Sequence, residues 1–487
     1  MSHDSVKVLG AHPLGSLRVV HPDESMETEE RQDNPPPPLE PPGNLNGRKR
    51  VQFSDARTHV RDDLSSSSNR LSISHSMGGG DVLLILDLPE VCLVGYDTAS
   101  FTARHFKGIW GIPPGPHFFW VTHPDSGSVR TGFWIVSSDA HRVHVLQWDR
   151  FSETILEPSR AEARFQAEYL ATSHHKLVRY NNPEGAKPDA DVYRAADERS
   201  TIWKLLSGSI TEQVLDRVTG QHASSWHVDT TDRVKGAILL AVEMELEKRF
   251  ANHVFQSREL NFSFSQHSRT YSANVLGAAR SLAATDATSY MLSVMSEPNK
   301  ELSEDDIVGE LQLAFVVGVA LGNDACIQQW RHMMIKLILK AYSLPEHRPV
   351  FAVKLLQTIT AQLQYSSRWL EDSIMDYGGS ESQALRLALI VYKRRLDELL
   401  NSLGAHATPE QRKVGTAIAG LELEVTGLGW DLHADYVRRG KVMMEDGEEV
   451  EVEMDELQAE DERGEWAPEV VELDEHGRQR DLVSWND

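Results

Sequence analysis

The sequence predicts an α+β protein in which an N-terminal all-β domain, a β-sandwich or barrel, precedes an all-helical domain. Three observations lead to this prediction. Short apolar runs rich in β-branched and aromatic residues alternate with turn residues over residues 81–150, which is typical of a compact all-β domain. From about residue 157 the apolar residues follow helical spacing. Both ends of the chain are poor in core-forming residues, which indicates a disordered N-terminal extension and an acidic C-terminal tail.

Composition limits the class of protein. The length of 487 residues favours two or three structural units, and an apolar content of 40% is sufficient for real cores. A net charge of −24 argues against direct nucleic-acid binding, which needs a clustered basic surface, and leaves basic proteins as suitable partners. Only two cysteines occur, Cys92 and Cys326, so we expect neither a disulfide framework nor a zinc cluster. This cysteine content fits a protein of a reducing compartment. We expect no signal peptide, no membrane span and no cofactor.

Residues 1–80 are expected to be disordered, because proline, serine and glycine runs take the place of core-forming residues. They contain one short motif, Arg48-Lys49-Arg50-Val51-Gln52-Phe53. Basic residues followed by Val51 and Phe53 resemble the docking peptide of protein phosphatase-one, which adds a strand to a sheet edge and places both apolar side chains in pockets. A nuclear import patch and a chance cluster are the alternatives.

The β domain, residues 81–150, is organised around a rigid corner at Pro113–Pro116. Proline fixes φ and lacks a backbone donor, so the corner lies between strands. Aromatic runs on both sides form these strands, and the second returns as a hairpin through residues 130–136 after a turn at 125–128. A Pro-Gly before His117 is similar to a metal cupin motif. The second His and the Glu of such a site are missing, so we expect His117 to cap or pack the corner.

Residues 151–300 are predicted to form a helical linker region with a variable loop. Phe165, Tyr169 and Leu170 stand at helical spacing, and further short helices are predicted at 197–206, 211–218 and 237–250. Serines around His267 invite a hydrolase interpretation, but no nucleophile motif accompanies them.

A second core, wholly helical, is predicted over residues 301–436. Ser303 is the expected N-cap of a helix over 307–321 that is apolar nearly all round and therefore central. Further helices are predicted at 324–342, 350–377, 382–403 and 409–423. Stacked antiparallel helices with short links indicate a superhelical bundle.

Residues 437–487 form the acidic tail, which contains three short apolar segments that we predict to bind a partner. In the first segment the apolar residues alternate with glutamate and share one face of a strand. The candidate residues are Val450, Val452 and Met454, then Val470, Val471 and Leu473, then Leu482, Val483 and Trp485. Such segments can add to the edge of a partner's sheet. We favour the last two because tryptophan is a good interface anchor.

Two sets of motifs in combination resemble the AAR-two family of cistron-splicing factors, in its fungal type. The first set lies in the β domain and the second in the central helices: Gly95–Asp97, Phe106–Ile109, Ile112–Gly115, His117–Phe118 and Arg130–Trp134, then Gly309–Val316 and Trp330. The resemblance covers roughly residues 82–436. It implies an N-terminal β domain followed by a VHS-like helical domain, in the order predicted here from periodicity.

The resemblance also implies a function without catalysis. Members of that family are pre-mRNA splicing factors that assist U5 snRNP assembly by binding its large scaffold protein, at RNase H-like and Jab/MPN-like domains. They hold off the U5 helicase until phosphorylation releases them. We therefore expect no catalytic or metal-binding residues, and a location in cytoplasm and nucleus. The sequence does not identify the phosphorylated residue. The alternative left open is a metal-dependent or hydrolytic enzyme housed in the β domain.

Overall fold

The computed structural model describes residues 7–13, 79–123, 129–138, 141–180, 190–221, 226–237, 258–266, 283–297, 302–369, 379–433, 437–443 and 449–455. Two sheets dominate the N-terminal half and helices the C-terminal half. The predicted α+β order, a β domain followed by a helical region, is confirmed.

The first sheet, sheet A, is antiparallel and has six strands. In spatial order they are β1 (Lys7–Pro13), β4 (Ala99–Arg104), β3 (Val91–Tyr96), β6 (Gly115–Thr122), β7 (Thr131–Ser137) and β11 (Trp226–Asp229). The five strands of sheet B are β10 (Val178–Arg179), β5 (Gly108–Ile112), β2 (Asp81–Leu86), β8 (Val143–Asp149) and β9 (Thr154–Leu156). The pairs β10–β5 and β2–β8 are parallel.

Two further sheets have two strands each. In one, β12 (Arg233–Val234) pairs in parallel with β13 (Glu259–Leu260). In the other, β14 (Val437–Met443) pairs antiparallel with β15 (Glu449–Asp455).

The proline corner carries the chain from one main sheet to the other. Strand β5 belongs to sheet B and β6 to sheet A, so Pro113 and Pro114 make the crossing. Gly115 follows at φ +131°, a conformation that residues with a Cβ rarely adopt. The corner is therefore a junction between the two sheets, and the predicted return hairpin is the β6–β7 pair.

Sheet A is buried on both faces. Phe119 and Val121 of β6 pack into the core between the two sheets. Phe118 and Trp120, which alternate with them, belong to the helical core. Burial on both faces explains why this strand reads as an unbroken apolar run instead of an alternating one. Sheet A is thus the middle of three layers.

Strands from outside residues 81–150 complete both sheets. Sheet B gains β9 and β10, and sheet A gains β11 from well beyond that range. Strand β1 differs from expectation, because Lys7–Pro13 lie in the extension expected to be disordered yet pair antiparallel with β4. An unpaired sheet edge offers backbone partners even to a segment of low apolar content.

The described part of the chain contains ten α-helices. They are α1 (Arg160–Ser173), α2 (Ala190–Ser207), α3 (Glu212–Thr219), α4 (Thr288–Met295), α5 (Glu304–Leu321), α6 (Asp324–Arg331), α7 (Leu344–His347), α8 (Pro349–Trp369), α9 (Gly379–Leu403) and α10 (Pro409–Gly427). Among these described helices, none combines the length and the apolar content that a membrane crossing needs.

Helix α5 is central, as predicted. Ser303 and Asp306 form a reciprocal capping box at its start, and Gly322 ends it in the left-handed conformation. Buried residues surround the helix axis, and α2, α3 and α8 all pack against α5.

The single helix expected over 324–342 is instead α6 followed by a π-helix at His332–Leu337 and a 3₁₀ turn at Ile338–Lys340. Met333 and Met334, in the π-helix, are both buried. Phe165, Tyr169 and Leu170 lie in α1, as their helical spacing predicted. Phe165 and Tyr169 are 59% and 50% exposed and stack on each other, whereas Leu170 is buried. Residues 238–250 of the helix expected at 237–250 lie outside the described residues.

Candidate protein-interaction site

The first of the predicted partner-binding segments is a strand. Val450, Val452 and Met454 lie in β15, where their register partners in β14 are Val442, Gly440 and Arg438. The predicted strand is therefore present, but it pairs within the chain, and its role in partner binding stays a prediction. The other two segments (Val470, Val471 and Leu473; Leu482, Val483 and Trp485) and the phosphatase-docking candidates Val51 and Phe53 lie outside the described residues.

The β14–β15 hairpin pairs a basic strand with an acidic one. Strand β14 has the sequence VRRGKVM and β15 has EVEVEMD, so one strand is basic and the other acidic. The register places Arg439 opposite Glu453 and Lys441 opposite Glu451. Opposite charges on facing positions stabilise an antiparallel pair by roughly 0.2–1 kcal/mol each. Strand β14 lies inside the tail but was missed from sequence, because the tail was described by its acidity and β14 is basic. Its signal was the cluster of Arg438, Arg439 and Lys441.

The hairpin offers backbone groups to a partner. Within the part of the chain that the structure describes, its sheet contains no third strand. The outer edges of a two-stranded sheet carry N–H and C=O groups that an added strand can pair with. This arrangement fits protein binding through main-chain hydrogen bonds.

The corner contains a buried polar cluster centred on His117. Its Nδ1 lies 2.7 Å from Asp97 Oδ2, and its Nε2 lies 2.8 Å from the carbonyl oxygen of Pro113. Both partners are acceptors, so a doubly protonated ring, which donates from both nitrogens, satisfies the two contacts. Burial on its own lowers the pKa of His117, but the charge of Asp97 and the hydrogen bonds to Asp97 and Pro113 together raise it above the ordinary value.

Asp97 is fully occupied by the same cluster. Its Oδ1 accepts from the backbone N–H of Phe118 at 2.9 Å, and its Oδ2 also accepts from the hydroxyl of Tyr180. Burial and the nearby charge of Asp97 raise the pKa of that tyrosine well above its usual range. With 2% of its surface exposed, His117 holds the corner in place and has no free nitrogen for acid–base chemistry. This agrees with the structural role expected for it.

The serine-rich segment after β13 is held in the same way. Ser263 donates its hydroxyl to Glu310 Oε1 at 2.6 Å and its backbone N–H to Oε2 at 2.9 Å. Arg217 Nε donates to Oε1 at 3.0 Å. Glu310 is wholly buried, and burial raises its pKa despite these partners. The hydroxyl of Ser263 therefore serves to anchor the loop to α5. His267 lies outside the described residues.

The described ranges contain no assembled set of metal ligands. There, no three His, Cys, Asp or Glu side chains come close enough to hold one ion. Cys92 and Cys326 are both free and buried.

Arg130 joins sheet A to the helical core. Its Nη1 donates to the carbonyl oxygen of Ala320 at 2.6 Å, near the C-terminal end of α5, and its guanidinium lies 4.6 Å from the ring centre of Trp120. Burial lowers the pKa of Arg130 to about 10. A second polar link is the indole N–H of Trp203, which donates to the Pro116 carbonyl oxygen at 2.9 Å. These contacts hold the β and helical layers in register, and none was predicted from sequence.

Comparison with known families gives two matches. The model described as AAR2 N-terminal domain matches residues 79–220, and the model described as AAR2 C-terminal repeat region matches residues 262–433. The first range contains most of both sheets and helices α1–α3, and the second contains α4–α10. Together they cover nearly two thirds of the chain. A search of curated proteins found no match.

Proposed function

Since this chain belongs to the AAR2 family, whose members are splicing-related, non-enzymatic U5 snRNP assembly factors, we propose that it binds the large U5 scaffold protein during assembly. In this proposal it acts as a chaperone that occupies the RNase H-like and Jab/MPN-like domains and excludes the U5 helicase until release. The observation that carries the proposal is the match to both family domains, in order, on a structure with the corresponding β and helical parts.

We propose that the acidic tail binds the scaffold. Strand β15 and the apolar segments beyond it can add to exposed sheet edges, where main-chain hydrogen bonds supply affinity and alternate side chains supply register. The net charge of −24 hastens encounter with a basic surface and makes binding sensitive to salt.

Calorimetry of scaffold binding tests this proposal. Deleting residues 470–487 is expected to weaken binding at both low and high salt while the far-UV circular dichroism of the helical core stays unchanged. A matched control replaces Val470, Val471 and Leu473 with serine and keeps every charge. It separates the apolar contribution, which weakens affinity at any salt, from the charge contribution, which shows only at low salt. Equal affinity with and without residues 470–487 contradicts binding through the tail.

Release by phosphorylation is the proposed end of the interaction. A phosphate adds close to two negative charges at neutral pH, which disfavours a desolvated contact or one beside acidic groups. Protein purified in its phosphorylated form is expected to bind the scaffold more weakly than the same sample after phosphatase treatment. Unchanged affinity after treatment argues against this release step.

The enzyme alternative receives no support from the residues that suggested it. His117 has both nitrogens engaged, and Ser263, in the serine-rich segment, donates to a carboxylate. Metal analysis of the purified protein discriminates between the two classes, since stoichiometric zinc or iron favours an enzyme. An affinity pull-down with mass spectrometry, in which the U5 scaffold is expected as the dominant partner, tests the assembly role directly.

The basic motif near residue 50 supports two smaller proposals. Replacing Val51→Ala together with Phe53→Ala is expected to abolish capture of protein phosphatase-one, and persistent capture excludes docking through this motif. We also propose that the protein occupies both cytoplasm and nucleus. Fluorescence microscopy of the native chain, and of a chain with Arg48, Lys49 and Arg50 changed to alanine, tests whether these residues direct nuclear entry.

A further inference from the structure

Sheet A has two edges that are closed in different ways. At the β11 edge, backbone groups of His227 and Asp229 are satisfied by side chains. Gln221 Oε1 accepts from His227 N at 3.0 Å, Arg258 Nη1 donates to His227 O at 3.1 Å, Asp232 Oδ2 accepts from Asp229 N at 2.8 Å, and Asn323 Nδ2 donates to Asp229 O at 2.9 Å. These side chains belong to loops and helix caps of the folded core. A strand cannot add here without displacing them.

The β4 edge is closed by a strand instead. In the described part of the chain, β1 pairs along the whole of β4. Residues 14–78 separate β1 from the point at Gly79 where the described chain resumes. A short turn at Asp97 and Thr98 joins β3 to β4, whereas β1 is distant in sequence from the strand that it pairs with. The described contact between β1 and β4 is the backbone ladder.

The ladder between β1 and β4 is imperfect. The register shifts between Val8 and Gly10, which is a β-bulge. Lys7 is placed opposite Arg104, and like charges on facing positions destabilise an antiparallel pair. The side chain of Arg104 remains 51% exposed, with its Nε 3.7 Å from Glu90 Oε1. It is therefore available to a carboxylate on a better-matched strand.

The inner face of the edge sets an apolar requirement. Phe101 and Ala103 of β4 are buried in the core between the sheets. Their register partners in β1 are Ala11 and Val8, so the strand that occupies this edge needs small or branched apolar residues at these two positions. The edge therefore selects a strand both by its charge at one end and by its apolar spacing.

We propose that the β4 edge is a binding site for an extended segment of a partner protein, which Lys7–Pro13 occupies within the chain until it is displaced. The partner segment carries a carboxylate opposite Arg104, where β1 has lysine. It carries small or branched apolar residues opposite Ala103 and Phe101. Strand β1 then covers this sheet edge in the absence of that partner.

Two variants of the full chain test this. In the opened chain, Ala11→Pro with His12→Pro removes two consecutive N–H groups, of which one faces β4 because adjacent residues of a strand point to opposite sides. In the locked chain, His12→Cys with Ser100→Cys joins register partners. Peptide mapping of this disulfide also tests the register. The native cysteines are buried and do not compete.

The probes are two fluorescein-labelled peptides, Lys-Val-Leu-Gly-Ala-His-Pro and the same peptide beginning with Glu. Fluorescence anisotropy is expected to show saturable binding to the opened chain, with the Glu peptide about fivefold tighter, and at least tenfold weaker binding to the locked chain. A peptide with proline at its second and fifth positions is the control. Equal binding to the opened and locked chains, or equal binding of the control, overturns the proposal.

Hydrogen exchange on the native chain gives a readout that does not depend on the variants folding. Excess Glu peptide is expected to remove amide protection from residues 7–13 while protection of 99–104 persists, because one strand replaces another. Unchanged protection at 7–13 overturns the proposal. A concentration-dependent dimer of the native chain held by exchanged β1 strands also overturns it, since a second copy is then the occupant.

Discussion

At the scale of single residues, the corner depends on the conformation of Gly115. Its φ of +131° is open to glycine, and a Cβ added there meets no atom within 4 Å, so a substitution is opposed by backbone strain and not by a clash. Gly115→Val is expected to lower the free energy of unfolding by about 1–3 kcal/mol, measured by urea denaturation. Gly420→Ala, at an exposed helical site with ordinary φ, is the control and should be neutral or stabilising. An unchanged midpoint for the valine variant contradicts the corner geometry.

The charge of His117 gives the corner a pH dependence. Its folded-state pKa lies above the ordinary 6.5, so its contribution is fully present below pH 6.5 and is lost as pH rises through the raised value. The difference in unfolding free energy between the native chain and His117→Gln is therefore expected to shrink from pH 6 to pH 9. The exposed His406→Gln is the control. A difference that grows with pH, or a singly protonated ring by NMR at pH 6, contradicts the imidazolium assignment.

A second buried histidine, His227, gives stability the opposite dependence on pH. Burial, with the nearby charge of Arg258, lowers the pKa of His227 to about 4. The unfolded chain then binds this proton more readily, so stability falls as pH drops from 6.5 towards 4. His227→Gln is expected to reduce the acid sensitivity of the unfolding midpoint over that range. If the unfolding midpoint of His227→Gln falls with acid as steeply as that of the native chain, other groups cause the acid sensitivity.

At the scale of elements, Arg130 links the start of β7 to the end of α5. Its guanidinium supplies a charged hydrogen bond to the Ala320 carbonyl oxygen and a contact with Trp120. Arg130→Met is expected to cost about 2–3 kcal/mol, because it removes the donor and leaves a buried acceptor. Arg150→Met, at an exposed turn, should change stability by less than about 0.5 kcal/mol. Equal effects of the two substitutions argue against a role of this contact in joining the layers.

Strands and helices with strong local patterns were predictable from sequence, and those that depend on distant partners were not. The aromatic run of β6 and the capped helix α5 have signals in their own residues. Strands β10 and β11 have two and four residues and form only because a sheet edge elsewhere accepts them. The sequence also could not reveal that β6 lies between two cores, since its apolar run fits any strand buried on both faces.

The candidate site was predictable to a similar extent. Alternation identified Val450, Val452 and Met454 as a strand, because the period of two is a local property. Their pairing with β14 is a relation between two segments, and a tail described by its acidity draws no attention to the basic residues at its start. The cluster of Asp97, His117 and Tyr180 was missed for the same reason. Its members are far apart in sequence, and each residue taken singly has no distinctive context.

At the scale of the whole molecule, the middle position of sheet A couples the two halves. Its helix-facing side carries Phe118, Trp120 and Trp134, which share a core with α2 and α5. Removing either half exposes this surface. Thermal unfolding followed by tryptophan fluorescence and by far-UV circular dichroism is therefore expected to give coincident transitions. Two separated midpoints indicate halves that unfold independently.

The same arrangement has a consequence for synthesis of the chain. The aromatic side of sheet A is complete up to β7 long before α5, which covers it, leaves the ribosome. At translation rates of roughly 5–20 residues per second, the delay between Trp134 and Leu321 lasts on the order of ten to forty seconds. During that time the growing polypeptide carries three large aromatic rings without their cover. We therefore expect chaperones to bind this aromatic surface while the chain is being synthesised.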